Sequence, residues 1–566
     1  MAQIDRPQAR MSIYTAQPLQ TEDADNIRIR PANYTFESPP NPSDDLLSVS
    51  VDRNINAWGG TWTAQFPWRR RVDNRRWSEI LEPMDLVVIE LCRPPEEGWH
   101  TVSIGFVEHI SEQNTIEANG RPIRIATISG RDIGMIFRLA RMEWWAVQLF
   151  GVTTTIPDAP VLAFLQDLKN LPTQSIQSDP HKIVQQIIEE ILDRLVDFPV
   201  WIKGADYPVA QALLNYRLDS FTTRIPDVKR FDFKFLFQQQ SVEELIHECA
   251  SEPFNELFCE VLTEQEAIDT VPDPPYSPIT REGTRITFGS DKAQFYLIMR
   301  ERPFPRIRIA DGVGSGNQAP TGPPPQGTVI EHDRELWDAL KAITITDSDE
   351  MGGDPFVDLM SRSAADQRNV FLGREMVFRD MGGLAYWLAP LVIDLDRIRR
   401  YGLRPRDVAT HLMLNKTRVD DVLRSLQQNL AWRLASYGNL EDNFWAGRQT
   451  MKLLPQVKLG MKLLDHRSLI SEQRHYYIEG YSHQANWLAN RWTTTLTLTR
   501  GLSAERYDTI EFQGELNVVQ PPWQKGILAE LQFGLVNAQL YNGEWYSLLA
   551  TPQYNSHRNP VYGPGY

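Results

Sequence analysis

Few residue patterns in this chain could carry chemistry. Asp347, Asp349, Gly352 and Asp358 stand at the spacing of positions 1, 3, 6 and 12 of a calcium loop, whose oxygens cage a hard cation. Met351 occupies the fifth position, where an oxygen ligand is needed, and Pro355 the ninth, so the donor set is incomplete. His475 and His483 are too far apart along the chain to form a local chelating pair and read as hydrogen-bonded surface or core histidines. Gly312-Val313-Gly314-Ser315-Gly316 imitates a phosphate cradle, but it lacks the Lys-Ser/Thr ending and a helix to follow. The chain has no HExxH, GxSxG, GxxxxGK(S/T) or Cys-His signature. Its many carboxylates leave a glycosidase pair open without pointing to one. The sequence therefore assigns no catalytic residue, no metal ligand and no cofactor.

The strongest charge feature is the run Trp68-Arg69-Arg70-Arg71-Val72-Asp73-Asn74-Arg75-Arg76-Trp77. One reading is a solvated hairpin tip. The other is an intersubunit or partner contact, in which Arg69, Arg70, Arg71, Arg75, Arg76 and Trp77 stack or fork onto carboxylates. The chain as a whole is nonetheless acidic: 58 Lys and Arg against 73 Asp and Glu give a net charge of −15. That balance argues against tight nucleic-acid binding, which needs clustered cations, whereas an acidic surface lets DNA pass without sticking. Sixteen Trp suit either half-wet interfaces or large β cores. Cys92, Cys249 and Cys259 include no CxxC, so neither a disulfide framework nor a structural zinc is expected, and assembly in a reducing cytoplasm fits. The N-terminus lacks an apolar core of signal-peptide length, and no run of about 18 apolar residues predicts a membrane span.

With 566 residues, roughly three to five domains are expected. Trp492, Thr494, Leu496 and Leu498 alternate with Thr493, Thr495, Thr497 and Thr499, which predicts a half-buried antiparallel strand ended by Arg500-Gly501. The aromatic run from Arg474 to His483 carries Gly480, a bulge or corner signal, and pairs with it as a hairpin. Alternation at Leu47, Val49 and Val51, followed by strand signals at 61–66, 84–92, 101–110 and 122–129, predicts a first small antiparallel barrel or sandwich. After Asp132 the period becomes helical: Ile183, Val184, Ile187, Ile188, Ile191, Leu192 and Leu195 form one apolar stripe. Ser241 with Glu244 reads as a capping box that opens a second helix, and 257–262 as a strand. A Gly/Pro tract spans 311–327, and a further helix is expected around Val419 to Leu434.

The closing hairpin resembles the pattern YY(I/V)xxxxH…WxTTLxLxRG, carried here by Tyr476, Tyr477, Ile478, His483, Trp492, Thr494, Thr495, Leu496, Leu498, Arg500 and Gly501. This is the second barrel of the tail hub, or baseplate hub, proteins of tailed bacteriophages and related contractile injection systems. The first-barrel phrase of that family is matched by Asn54, Gly60, Trp62, Phe66, Leu81, Asp85, Val87, Ile89, Ile104, Gly105, Val107, Ile128, Gly130 and Asp132. Met84 replaces the glycine that usually precedes Asp85 and makes the tight turn. Gln294 to Phe304 looks like the phrase that returns a strand to the first barrel. Ser361, Arg362, Ser363, Asp366, Asn369, Val370 and Phe371, then Tyr401 to Pro405, then 447–464, follow in the family's order. The resemblance covers about 45–505.

The resemblance implies an α+β, β-rich multidomain chain: two similar small antiparallel β-barrels, a helical or mixed insert between them, and an extended C-terminal appendage. The expected boundaries are an arm at 1–45, a first barrel at 46–132 completed by about 285–310, and an insert at 133–284. A linker at 311–328, the start of a second barrel at 329–380, a helical segment at 381–440, the remainder of that barrel at 441–505 and a docking appendage at 506–566 follow. Function by resemblance is structural. A homotrimer would present six barrels as a pseudo-sixfold ring and symmetry adaptor, joining the tail tube protein to a trimeric spike or tail-tip protein. Other baseplate proteins would be neighbours, DNA would meet the ring only in transit, and no stable membrane insertion would occur. The expected location is the virion tail, assembled in the host cytoplasm. The alternatives are a tail-associated carbohydrate- or peptidoglycan-degrading enzyme, and a subunit of a non-viral injection system.

Overall fold

The computed structural model describes residues 7–14, 16–18, 27–29, 34–37, 46–67, 81–93, 98–116, 122–139, 141–142, 176–178, 180–185, 187–188, 214–220, 230–233, 240–250, 252–271, 287–303, 306–309, 330–333, 335–346, 358–361, 370–375, 391–394, 400–402, 404–410, 412–413, 444–467, 473–487, 489, 491–504, 516–519, 537–539 and 545–547. The strands that build its main sheet are β1 (Gln8–Tyr14), β2 (Tyr34–Glu37), β3 (Ser48–Asn54), β4 (Ala57–Pro67), β5 (Leu86–Cys92), β6 (His100–Ile116) and β7 (Pro122–Asp132). These form a first set, in spatial order β3-β4-β7-β6-β5-β1-β2, antiparallel throughout. Alternation decides their orientation: in β4, Trp58, Gly60, Trp62, Ala64 and Phe66 face inward while the residues between them are at least partly exposed. Every residue of β5 is buried, because both of its faces are covered.

A helix and a three-stranded sheet follow. After α1 (Met135–Leu139) come β8 (Leu214–Leu218), α2 (Val242–Ala250), β9 (Asn255–Leu262), α3 (Glu264–Thr270) and β10 (Gln294–Glu301). The Ser241 capping box is present: Glu244 N–H donates to Ser241 Oγ at 3.2 Å, and Ser241 N–H donates to Glu244 Oε2 at 2.8 Å. A second box, Thr263 with Glu266, opens α3. In the helical residues 180–185 and 187–188, Ile183, Val184, Ile187 and Ile188 are buried, while Ile191, Leu192 and Leu195 of the same stripe lie outside the described residues. β10 does not return to the first set. It lies between β9, antiparallel, and β8, parallel, and its side chains are buried along its whole length, as a central strand's are.

The second set comprises β11 (Ala342–Ile345), β12 (Asp358–Ser361), β13 (Trp445–Lys452), β14 (Lys462–Asp465), β15 (Arg474–Asn486) and β16 (Arg491–Ser503). Strands β12-β13-β16-β15 pair in that order, and β14 pairs with β15 and, in parallel, with β11. The register of β15 slips between Ile478 and Gly480, so Gly480 is the bulge its sequence signals. There the strand changes partners: residues 474–477 pair with β14, whereas 480–486 pair with β3 of the first set.

Because of that exchange, the described strands make one 13-stranded sheet, a path of eleven strands from β12 to β2 with β14 and β11 branching off at β15. The β-rich, antiparallel, multidomain reading holds. Closure of two separate barrels is not found among the described residues, since the β3–β15 pairing uses the strand edges for a joint between the sets. Two further expectations change. Residues 8–14 are not part of an arm: β1 pairs with β5 over its whole length and buries Ala9, Met11 and Ile13 in the first set's interior. Arg500-Gly501 does not end β16, because Arg500 adopts φ +55° and the strand continues to Ser503.

The Gly/Pro tract, the helix around 419–434 and most of the 506–566 appendage lie outside the described residues. Leu516–Val519, within the expected appendage, pairs with Leu391–Asp394.

The missing glycine has a visible consequence. Met84 takes φ +75°, its N–H donates to Val107 O at 2.7 Å, and its side chain is 36% exposed. The turn is thus made by a residue for which the left-handed region costs about 1–2 kcal/mol. Met84→Gly is expected to raise stability by about 0.5–1 kcal/mol after the extra freedom of glycine in the unfolded chain is subtracted. Urea unfolding checks this as a higher midpoint at an unchanged slope.

Candidate functional site

The residues singled out by sequence fall into two groups. Arg69, Arg70, Arg71, Arg75, Arg76 and Trp77, between β4 and β5, lie outside the described residues, as do 347–357 of the calcium-like loop. His475 and His483 are on β15. His483 is fully buried, with Nδ1 2.9 Å from Thr494 Oγ1. Burial, then the Lys458 charge, pushes its pKa down to about 3, so it is a neutral core histidine. Among the described residues, no three His, Cys, Asp or Glu side chains are grouped as a metal would require.

The chemistry that the structure does concentrate is a buried charged junction where the two strand sets meet the β8-β10-β9 sheet. Its foundation is β9, sequence NELFCEVL, buried throughout. Glu256 and Glu260 are four residues apart on a strand, so both point to the same face. Opposite them on β15, Tyr477 donates its hydroxyl to Glu256 Oε1 at 2.6 Å, and Tyr481 donates to Glu260 Oε1 at 3.0 Å.

Each carboxylate also holds cations. Glu256 accepts from Arg300 Nε at 2.6 Å and lies 3.9 Å from Arg500 Nη2. Arg300 in turn donates to Gly460 O at 2.9 Å and Thr270 O at 3.2 Å, while Arg500 donates to Pro303 O at 2.6 Å and lies over the Tyr477 ring at 4.0 Å. Glu260 lies 3.5 Å from Arg53 Nη1 and accepts the amides of Val261 and Leu459 at 2.8 and 2.9 Å. Arg53, on β3, reaches Asp132 at the end of β7 with 2.9 Å between Nη2 and Oδ2, and donates from Nε to Val102 O at 3.2 Å. Lys458 donates to Thr101 O at 2.8 Å, tying the second set to β6. Gly60 leaves room for the Arg53–Asp132 pair, since a Cβ there would stand 2.5 Å from Asp132 Oδ2 and 2.9 Å from Arg53 Cγ.

The electrostatics follow from burial. Desolvation, then the Glu256 charge, raises the Tyr477 phenol, which therefore stays protonated and donates. Burial alone would lower Arg53, but Asp132 and then Glu260 more than reverse that, so its charge is permanent. These carboxylates are closed in by donors and protein, and cannot take a sugar or water between them as a glycosidase pair must. The seam outside them opens into a cavity of about 440 Å³, walled partly by Asp52, Arg53, Arg448, Tyr481 and Thr497. Among the described residues of that wall, Asp52 is the one carboxylate.

No protein-family model matches the chain, and no curated protein matches it. Solved structures do. The 43 kDa tail protein of prophage MuSo2 from Shewanella oneidensis aligns at 10% identity over 87% of this chain and 98% of its own, with a TM-score of 0.39. The tail protein from Neisseria meningitidis MC58 aligns at 9% over 87% and 96%, with a TM-score of 0.38. Prophage tail protein gp18 from Listeria monocytogenes EGD-e aligns at 9% over 87% and 94%, with a TM-score of 0.36. These structural neighbours are tail proteins. All three scores lie below one half, and the functional reading rests on the chain's own residues.

Removing one partner of a buried ion pair strands the other. Glu256→Leu leaves Arg300 without its carboxylate, takes from Arg500 one of two (Glu479 stays at 4.0 Å), and is expected to cost about 3–5 kcal/mol. Glu256→Leu with Arg300→Met restores much of that loss. Urea unfolding of the single and double variants measures both.

Proposed function

We propose that this protein is a structural tail or baseplate hub in which three copies form a ring. The observation that carries the reading is that one chain supplies two mainly antiparallel strand sets, separated by an insert and joined directly through the β3–β15 ladder. A trimer of such chains presents six strand sets around one axis, so that a threefold object offers an approximately sixfold surface. The order of the hub-like phrases along 45–505 supports the same reading. In this role the ring faces a sixfold tail tube on one side and a threefold spike or tail tip on the other, other baseplate proteins surround it, and DNA passes through its channel. The protein resides in the virion tail after assembly in the host cytoplasm. The acidic balance of −15 suits a conduit that must not retain DNA. The candidate intersubunit contact is the Arg69–Trp77 run, whose guanidiniums would fork onto carboxylates of a neighbouring acidic chain.

Native mass measurement of the full chain at micromolar concentration tests this. The expected species has three times the 65.1 kDa chain mass. Charge reversal of Arg69, Arg70 and Arg71 to Glu is expected to reduce the trimer fraction at least tenfold (on the order of 1.4 kcal/mol). A wild-type chain that remains a single copy overturns the reading.

A further inference from the structure

The charges in the junction do not balance where β3, β7 and β9 meet. One guanidinium, Arg53, faces two fully buried carboxylates, Asp132 at 2.9 Å and Glu260 at 3.5 Å. Glu260 is saturated by the Tyr481 hydroxyl and two backbone amides. Asp132 accepts from the amides of Gly134 and Gly60, but its Oδ2 makes no well-directed hydrogen bond to Arg53. Two like charges sharing one counterion away from water favour the state in which one carries a proton. The seam cavity reaches this cluster, since Gly60, Arg53 and Tyr481 form part of its wall, so protons can exchange with solvent.

We propose that Asp132 is a proton-binding switch in this seam: protonated, it lets the first strand set and the β9 sheet dock tightly, and ionised, it loosens that docking. The inference does not depend on the hub reading. Burial first, with Glu260 adding to it against Arg53, raises Asp132 from 3.8 to about 7. The sign follows. Between those values the folded chain holds a proton that the unfolded chain has lost, so stability is greatest at low pH and falls as pH rises through about 7.

The groups facing Asp132 are Arg53 on β3, Cys259 and Glu260 on β9, and Tyr481 on β15. Glu243, Lys458, His100 and His483 stand behind them. His483 acts in the opposite sense: its pKa is lowered from 6.5 to about 3, so it costs stability on acidification below 6.5. The decisive quantity is therefore the difference between wild type and Asp132→Asn, in which the His483 contribution cancels.

Urea unfolding of the full chain from pH 5 to 8 is the test. The unfolding constant of the wild type relative to Asp132→Asn is expected to rise with pH, by up to about tenfold per unit below 7. Hydrogen exchange, corrected for intrinsic rate, is expected to show faster opening of β3 and β9 amides at pH 8 than at pH 6 in the wild type only, with β5 and β6 unchanged. A ratio independent of pH, or one that falls as pH rises, overturns the proposal. If Asp132→Asn does not fold, Glu260→Gln decides. Removing the competing charge must move the wild-type opening transition down by at least about one pH unit, and an unmoved transition overturns the proposal.

Discussion

The structure depends on one constraint: the charged face of β9 must meet the tyrosines of β15. Glu256 and Glu260 are buried, and a buried carboxylate is tolerable only with donors in place. Tyr477, Tyr481, Arg300 and Arg53 supply them from three different strand sets. A well-packed apolar face would hold these sheets together as strongly or more so. What charges add is direction, because sliding β15 by one residue along β9 would take both tyrosine hydroxyls away from their carboxylates. The ladder between β3 and β15 fixes the same relation along a second edge.

The proposed hub role would draw on that geometry: three copies imitating a higher symmetry would need the two strand sets of each chain held at one angle, since variation within a chain would blur the surface they offer. The apolar cores run the same way. Leu453 and Ala485 of the second set lie in the first set's interior cluster, and the larger cluster extends from Trp58 through β9 and β10 to Leu496 and Leu498. No described helix is long and apolar enough to cross a membrane.

Much of the local structure was legible. The threonine-leucine alternation of β16, the bulge at Gly480 and the Ser241 capping box each rest on a single physical rule, and each stands where its residues place it. β1 was missed although Ala9, Met11 and Ile13 alternate properly, because the polar, Pro-containing context suggested an arm. Arg500-Gly501 looked like a stop, yet Arg500 turns through a positive φ and buries its guanidinium under Tyr477 and against Pro303 O. The junction was not legible. Its only local signal is a pair of glutamates four apart among Leu257, Phe258, Cys259 and Val261, and their partners lie 44 and 221 residues away. Spacing along the chain carries no trace of contacts at that range. The family phrases marked several of these positions, Gly60, Asp132 and Arg500 among them, without indicating that their work is to join strand sets.

The rigidity of that joint can be read from the distance between the two strand sets. Gln113 on β6 and Leu359 on β12, which is 68% exposed, offer surface positions for a pair of spin labels on the full chain. Pulsed dipolar spectroscopy, with labelled chain diluted into unlabelled chain so that only intramolecular pairs report, gives the distribution of separations. A junction that locks the sets predicts one narrow peak at pH 6. A broad or multiply peaked distribution there would contradict it.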